Sequence, residues 1–209
     1  MAPSMFAQIF TGCLKEGSFP AEWKIQKLVL IPKTGKPIGE PASYRPICLL
    51  NTIGKVLERV IYNRLYPLID SDGYLSNRQF GFRKARSAVD ATKLVFELAR
   101  KAYDEGKYCA LVTLDMKNAL NSVRWNHIIE ALIAAKTPKF ILNIIFDYFR
   151  QRKLLYATDE GSKMYVITVG VPQGSVPGPP LWNLMYDGVL MVDTQAYPRH
   201  KYVDCAEPR

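Results

Sequence analysis

The chain has 209 residues, enough for a well-buried core in one domain or in a domain with a lobe. Apolar residues make up 48%, which excludes a disordered protein, and 28 Lys and Arg against 19 Asp and Glu leave a net charge of +9, which favours a polyanionic partner such as nucleic acid. Cys13, Cys48, Cys109 and Cys205 lie far apart and match neither a zinc spacing nor a small disulfide framework, so they read as reduced thiols.

The first residues carry no basic stretch ahead of an apolar one, and no apolar run approaches the length of a membrane span. Neither a signal peptide nor a membrane partner is expected, and an intracellular setting follows. Residues 5–15 place Met5, Phe6, Ile9, Phe10, Cys13 and Leu14 on one helical face, and Gly17 ends that helix. Residues 24–31 read as a strand closed by Pro32, with Lys24 and Lys27 on one of its faces, towards a polyanionic partner or towards solvent. Residues 33–46, punctuated by glycine and proline, read as a basic loop leading into Tyr44-Arg45-Pro46-Ile47. A strong helix is predicted over 52–69, where Ile53, Val56, Leu57, Val60, Ile61, Leu65 and Leu68 recur at threes and fours.

The next helix, over 88–104, is expected to bury Ala91, Leu94, Val95, Leu98 and Ala102 and to stop at Gly106. The apolar run Cys109-Ala-Leu-Val-Thr-Leu114 then reads as a strand over 108–114 that delivers Asp115. An acidic group at the end of a buried strand is costly unless a metal or partner neutralises it, so Asp115 is a metal-ligand candidate. Helices follow near 124–135 and 138–152. A hairpin comes next, with strands about 153–157 and 164–169 around Asp159-Glu160-Gly161, and a last helix starts near Pro179. Helices and strands without strict alternation argue for an α+β domain.

Several chemistries are poorly supplied. Only His127 and His200 are present, and His127 sits in an ordinary helix face. Thr34-Gly35-Lys36-Pro37 is a turn rather than a phosphate-binding loop. Ser175 is misplaced for a nucleophile elbow, and Asp70-Ser-Asp-Gly73 lacks the remaining ligands of a calcium loop and reads as a helix-ending turn. Phosphoryl transfer remains, in which two metal ions ~3.5–4 Å apart clamp the attacking and leaving oxygens.

Six segments in order carry a specific resemblance: Phe19-Pro-x-x-Trp23-Lys24, Leu30-Ile-Pro-Lys33, Ser43-Tyr-Arg-Pro-Ile47, Gln79-Phe-Gly-Phe82-Arg83, Leu114-Asp-Met-Lys-Asn-Ala119 and Gly170-Val-Pro-Gln-Gly-Ser175. Together they resemble the reverse transcriptase of non-LTR retrotransposons, in detail the insect elements that insert into ribosomal RNA genes, over about residues 10–190. The resemblance implies the fingers and partial palm of a right-hand polymerase fold over residues 1–190, a template-directed reaction on an RNA template and DNA primer with deoxynucleoside triphosphates and Mg²⁺, and a nuclear location. It makes Asp115 a catalytic metal ligand, and Lys33 and Arg45 the cations that grip the triphosphate, Arg45 as a bidentate fork and Lys33 as a point charge. Gln173 and Gly174 would touch the nucleotide sugar and template, while Arg83, Lys84 and Arg86 would either track a template backbone or form a solvated helix start.

The departures from the family are as informative. Leu120 stands where an aromatic residue usually sits beneath the sugar ring, and Pro177 and Pro180 stand where aliphatic residues are usual. The aromatic-Ala-Asp-Asp hairpin that supplies the other catalytic carboxylates is missing, and so is the thumb. Residues 191–209 have two readings: unrelated sequence left by truncation or a shifted frame, which is preferred, or a remnant in Tyr202-Val-Asp-Cys205 with Asp204 as the surviving carboxylate. The expectation is a fragment of an RNA-directed DNA polymerase that does not itself catalyse. The alternative is a non-catalytic remnant that binds nucleic acid.

Overall fold

The structure is a computed structural model that describes residues 3–37, 39–70, 74–116 and 118–190. Helix α1 (Pro3–Glu16) buries Phe10 and Leu14, on the face that the spacing of threes and fours predicts. A 3-10 turn, Ala21–Lys24, starts β1 (Ile25–Pro32), so Lys24 precedes the strand and does not share a face with Lys27. A second turn, Pro41–Ser43, leads into β2 (Tyr44–Leu50), where glycine and proline content predicts only loop up to residue 46. Pairing with β1 overrides that local preference: the two strands run antiparallel, with Val29 opposite Ile47 and Ile31 opposite Arg45. Pro46 is tolerated because β2 lies at the edge of the sheet.

Helix α2 spans Thr52–Ile69 as predicted. The Asn51 side chain caps it by accepting from the backbone N–H groups of Ile53 and Gly54 at 2.9 and 3.1 Å. The rest of the turn expected after it, residues 71–73, lies outside the described residues. Helix α3 (Ala88–Asp104) also has its predicted bounds, fixed by a capping box between Ser87 and Asp90. A four-residue helix absent from the sequence reading, α4 (Ala119–Ser122), precedes α5 (Trp125–Ala134) and α6 (Lys139–Phe149). The hairpin is β3 (Lys153–Thr158) and β4 (Gly161–Val166), with β4 starting three residues earlier than expected because Thr158 pairs directly with Gly161. Helix α7 (Gly178–Leu190) closes the described chain.

The four strands form one sheet in the order β2-β1-β3-β4, with β1 parallel to β3 and the other neighbours antiparallel. A parallel pair needs a long crossover, and everything from α2 to α6 lies inside it. The core is helical. Leu57, Ile61 and Leu65 of α2 pack with Ile141, Ile144 and Ile145 of α6, and α1, α5 and α7 close around them. Each such side chain contributes roughly 1.5–3 kcal/mol on full burial. No helix among the described residues is long and apolar enough to cross a membrane.

Two expectations fail together. Residues 108–114 form no strand, and Leu111, Val112 and Leu114 are 68%, 78% and 92% exposed. Helix α3 buries none of its residues, and Val95 and Leu98 are exposed where burial was expected. A strand-prone run becomes a strand only when another strand satisfies its backbone, and an apolar helix face is buried only when something covers it. Neither condition is met among the described residues.

Candidate active site

The segment after β4 is fixed to the helices by a few short bonds. Gly170 donates its N–H to the carbonyl of Val123 at 2.7 Å, and Val171 donates to the carbonyl of Leu120 at 2.8 Å. The indole Nε1 of Trp125, itself stacked on Phe149, donates to the carbonyl of Gly170 at 2.7 Å. Gly170 has φ +83°, and a Cβ there would lie 2.7–2.9 Å from the backbone of Asn121, so only glycine lets the two segments approach this closely. On the other side the backbone N–H of Cys48 in β2 donates to the carbonyl of Gln173 at 3.0 Å. Gly174, at φ +112°, again replaces a side chain whose Cβ would sit 3.1 Å from the carbonyl of Cys48.

These bonds bring β2, α4 and the Gln173 loop to one groove of ≈ 350 Å³, lined by Lys33, Tyr44, Arg45, Asn118, Leu120 and Gln173 among others. Four residues singled out from sequence, Lys33, Arg45, Leu120 and Gln173, therefore share one wall system although they span the chain. Lys33 donates from Nζ to the carbonyl of Ala42 at 2.8 Å, and the Arg45 side chain is exposed. Oε1 of Gln173 is buried and has no hydrogen-bond partner among the described residues. Such an acceptor calls for a ligand or water. Asn118 enters α4 with a left-handed backbone, φ +56°, which an asparagine adopts at low cost.

The other candidates divide. Lys24 is 4% exposed, and its Nζ is held at 2.8 Å by the carboxylate of Asp147, which also accepts from the N–H of Phe19 at 2.7 Å. It is a structural ion pair, not a cation offered to a template. Lys27 is exposed on β1. Arg83 is bound inward, by Nε and Nη2 to Asp70 at 3.0 and 2.9 Å and by Nη1 to the carbonyl of Ser76 at 2.9 Å. Arg86 binds Asn77 and lies 5.7 Å from the Phe80 ring centroid, while the exposed Lys84 lies 5.2 Å from that of Tyr66. Arg83 and Arg86 thus shape the loop before α3. The same loop is tied to α7, where Asn183 donates to the carbonyl of Gly81 at 2.7 Å.

Asp115 is exposed and lies five residues before Leu120, in the segment that forms no strand. Burial therefore gives it no reason to hold a metal, which corrects the physical argument for its role. No group of three or more His, Cys, Asp or Glu side chains among the described residues is placed to hold a metal ion. Asp204 lies outside the described residues, as does the whole of 191–209. The donors among the described residues do not by themselves complete a site for a bound metal pair.

Sequence reasoning missed the buried residues that hold the loop following Gln173. Glu58 of α2 is 2% exposed and accepts from Val176 N–H and from Tyr148 O–H, both at 2.9 Å. Burial pushes its carboxyl above the usual range, against those two bonds and the nearby Arg152, which lower it. Arg152 has no exposed surface and sits 4.3 Å from the Tyr148 ring centroid. An acid three residues from Ile61 and seven from Leu65 lies on the apolar face of α2, and that was the available signal.

The fold is that of a right-hand polymerase. An apo telomerase from Candida tropicalis, truncated from its C-terminal domain, superposes with a TM-score of 0.56 at 14% identity, over 83% of this chain and 40% of that one. The reverse transcriptase (RNA-dependent DNA polymerase) family pattern matches residues 31–203, and the chain belongs to that family. It is 34% identical over 190 residues to a probable RNA-directed DNA polymerase from transposon X-element of Drosophila melanogaster, covering 90% of this chain and 21% of the relative. It is 34% identical over 191 residues to a Pol polyprotein from the type-1 retrotransposable element R1 of Bradysia coprophila, covering 90% of this chain and 18% of that one. The chain thus spans about a fifth of the length of these curated relatives.

Proposed function

We propose that the chain is the nucleotide-gripping part, fingers and first palm segment, of a non-LTR retrotransposon RNA-directed DNA polymerase. The observation that carries this is the groove that collects Lys33, Arg45, Leu120 and the unpartnered Oε1 of Gln173. Two cations on the fingers side suit a triphosphate, with Arg45 as the fork and Lys33 as the point charge. Leu120 packs under the sugar, and Gln173, on a loop anchored to β2 and α2, meets the sugar or the template base. Lys27 and Lys84 extend the cationic path for an RNA template and DNA primer. The family resemblance supports work in the nucleus.

In the family reaction Mg²⁺ would supply charge neutralisation at the transferred phosphate, with Asp115 as the carboxylate this chain offers. The 209 residues contain no adjacent pair of aspartates, so the other ligands must come from elsewhere. The chain by itself is therefore a binder of template, primer and nucleotide that does not extend a primer. Titration with a fluorescent deoxynucleoside triphosphate tests the grip: Arg45→Ala and Lys33→Ala should each weaken binding by tenfold or more. Equal binding by all three proteins would overturn the assignment of the groove.

A further inference from the structure

We propose that Glu58 is a positioning residue for nucleotide binding: from α2 it holds the Val176 N–H, and through it sets the height at which Gln173 meets the groove. The inference rests on the nucleotide reading of that groove. The loop from Pro172 to Gly178 is anchored from two sides. Cys48 donates to the Gln173 carbonyl from β2, and Glu58 accepts from Val176 from α2. Between them the side chain of Gln173 has no partner of its own among the described residues at Oε1, so its position is inherited from the backbone.

Glu58 is in turn held by its neighbours. Tyr148 O–H donates to its Oε1, and the guanidinium of Arg152 sits over the Tyr148 ring while its Nη2 faces Oε1 of Gln26 at 3.4 Å. One carboxylate therefore links α2 and Tyr148 of α6 to the loop. A bond from an N–H to an ionised carboxylate is roughly twice as strong as one to a neutral acceptor. A glutamine at 58 can still accept from Val176 through its carbonyl and donate to Tyr148, but with the weaker bond.

Amide hydrogen exchange on the full 209-residue chain tests the link without any nucleotide. Glu58→Ala should speed exchange at Val176 at least tenfold while the amides of Ile61 and Leu65 stay within threefold, and Glu58→Gln should give a smaller rise. Unchanged exchange at Val176 in either variant, or a rise matched across α2, overturns the proposal; if the alanine variant does not fold, the glutamine variant decides. Titration with dTTP adds the functional arm. Glu58→Gln should weaken dTTP binding, and in combination with Gln173→Ala should add nothing further. Additive losses would overturn the proposal, whereas absence of dTTP binding by the unmodified chain would count against the groove and leave the exchange result to judge Glu58.

Discussion

The backbone N–H of Val171 meets the carbonyl of Leu120 at 2.8 Å, joining the segment that follows Asp115 to the segment that carries Gln173. The close approach at neighbouring Gly170 leaves no room for a side chain. Gly170→Ala should cost stability through both the left-handed backbone and the collision with Asn121, about 1–3 kcal/mol for the strain alone. Gly12→Ala, in the middle of α1 with open space around it, should instead stabilise by roughly 0.5–1 kcal/mol. Thermal melts of the two variants should move in opposite directions.

Lys24 and Lys27 should separate cleanly. Removing Lys24 leaves the Asp147 carboxylate without its cation, at a cost of roughly 1–3 kcal/mol, with no change in the salt dependence of nucleic-acid binding. Lys27→Ala, Lys33→Ala and Arg45→Ala should leave the melting temperature nearly unchanged. For each phosphate that is no longer neutralised, the slope of log affinity against log salt should become shallower by roughly 0.9 on a duplex or 0.7 on a single strand. Binding to an RNA–DNA hybrid across a salt series measures both.

Glu58 gives stability a pH dependence of known sign. Its folded pKa is raised, chiefly by desolvation, so the folded state holds the proton more tightly than the unfolded state. Its contribution to stability is complete below the unfolded value of about 4.3 and is lost as the pH rises through the folded value. Relative to Glu58→Gln, the unmodified chain should therefore gain melting temperature as the pH falls through the raised folded value towards the unfolded value of about 4.3. Parallel curves for the two proteins would contradict the burial.

The exposed face of α3 makes a further contrast. Leu98 is 58% exposed and Leu57 fully buried, although both sit at helical core spacing. Leu98→Ala should change stability by less than about 0.5 kcal/mol, and Leu57→Ala should cost roughly 2–5 kcal/mol. Denaturant unfolding of both variants measures the difference. Equal losses would mean that something covers α3 in solution.

That contrast shows what could be read in advance. The bounds of α2 and α3 were legible because helix periodicity and capping are local. Whether a periodic face is buried depends on a partner, which periodicity does not supply, and the strand expected over 108–114 fails for the same reason. Four wall residues of the groove were legible through the order of motifs, since Lys33, Arg45 and Gln173 each sit in a recognisable segment and Leu120 directly follows one. The burial of Lys24 in an ion pair is not legible in the sequence, because its partner, Asp147, is 123 residues away and no spacing announces it. Glu58 was overlooked because an acid within an apolar stripe reads as surface until the loop bonded to it is seen.

The most direct test of the account is primer extension with Mg²⁺, comparing the unmodified chain with one in which residues 191–209 are replaced by a family hairpin bearing its paired aspartates, together with the thumb. The unmodified chain should show no extension above background. The repaired chain should extend, Asp115→Asn should abolish that extension, and Leu120→Phe should sharpen selection for deoxynucleotides over ribonucleotides. Robust extension by the unmodified chain, or indifference of the repaired one to Asp115→Asn, would show that the active site lies elsewhere.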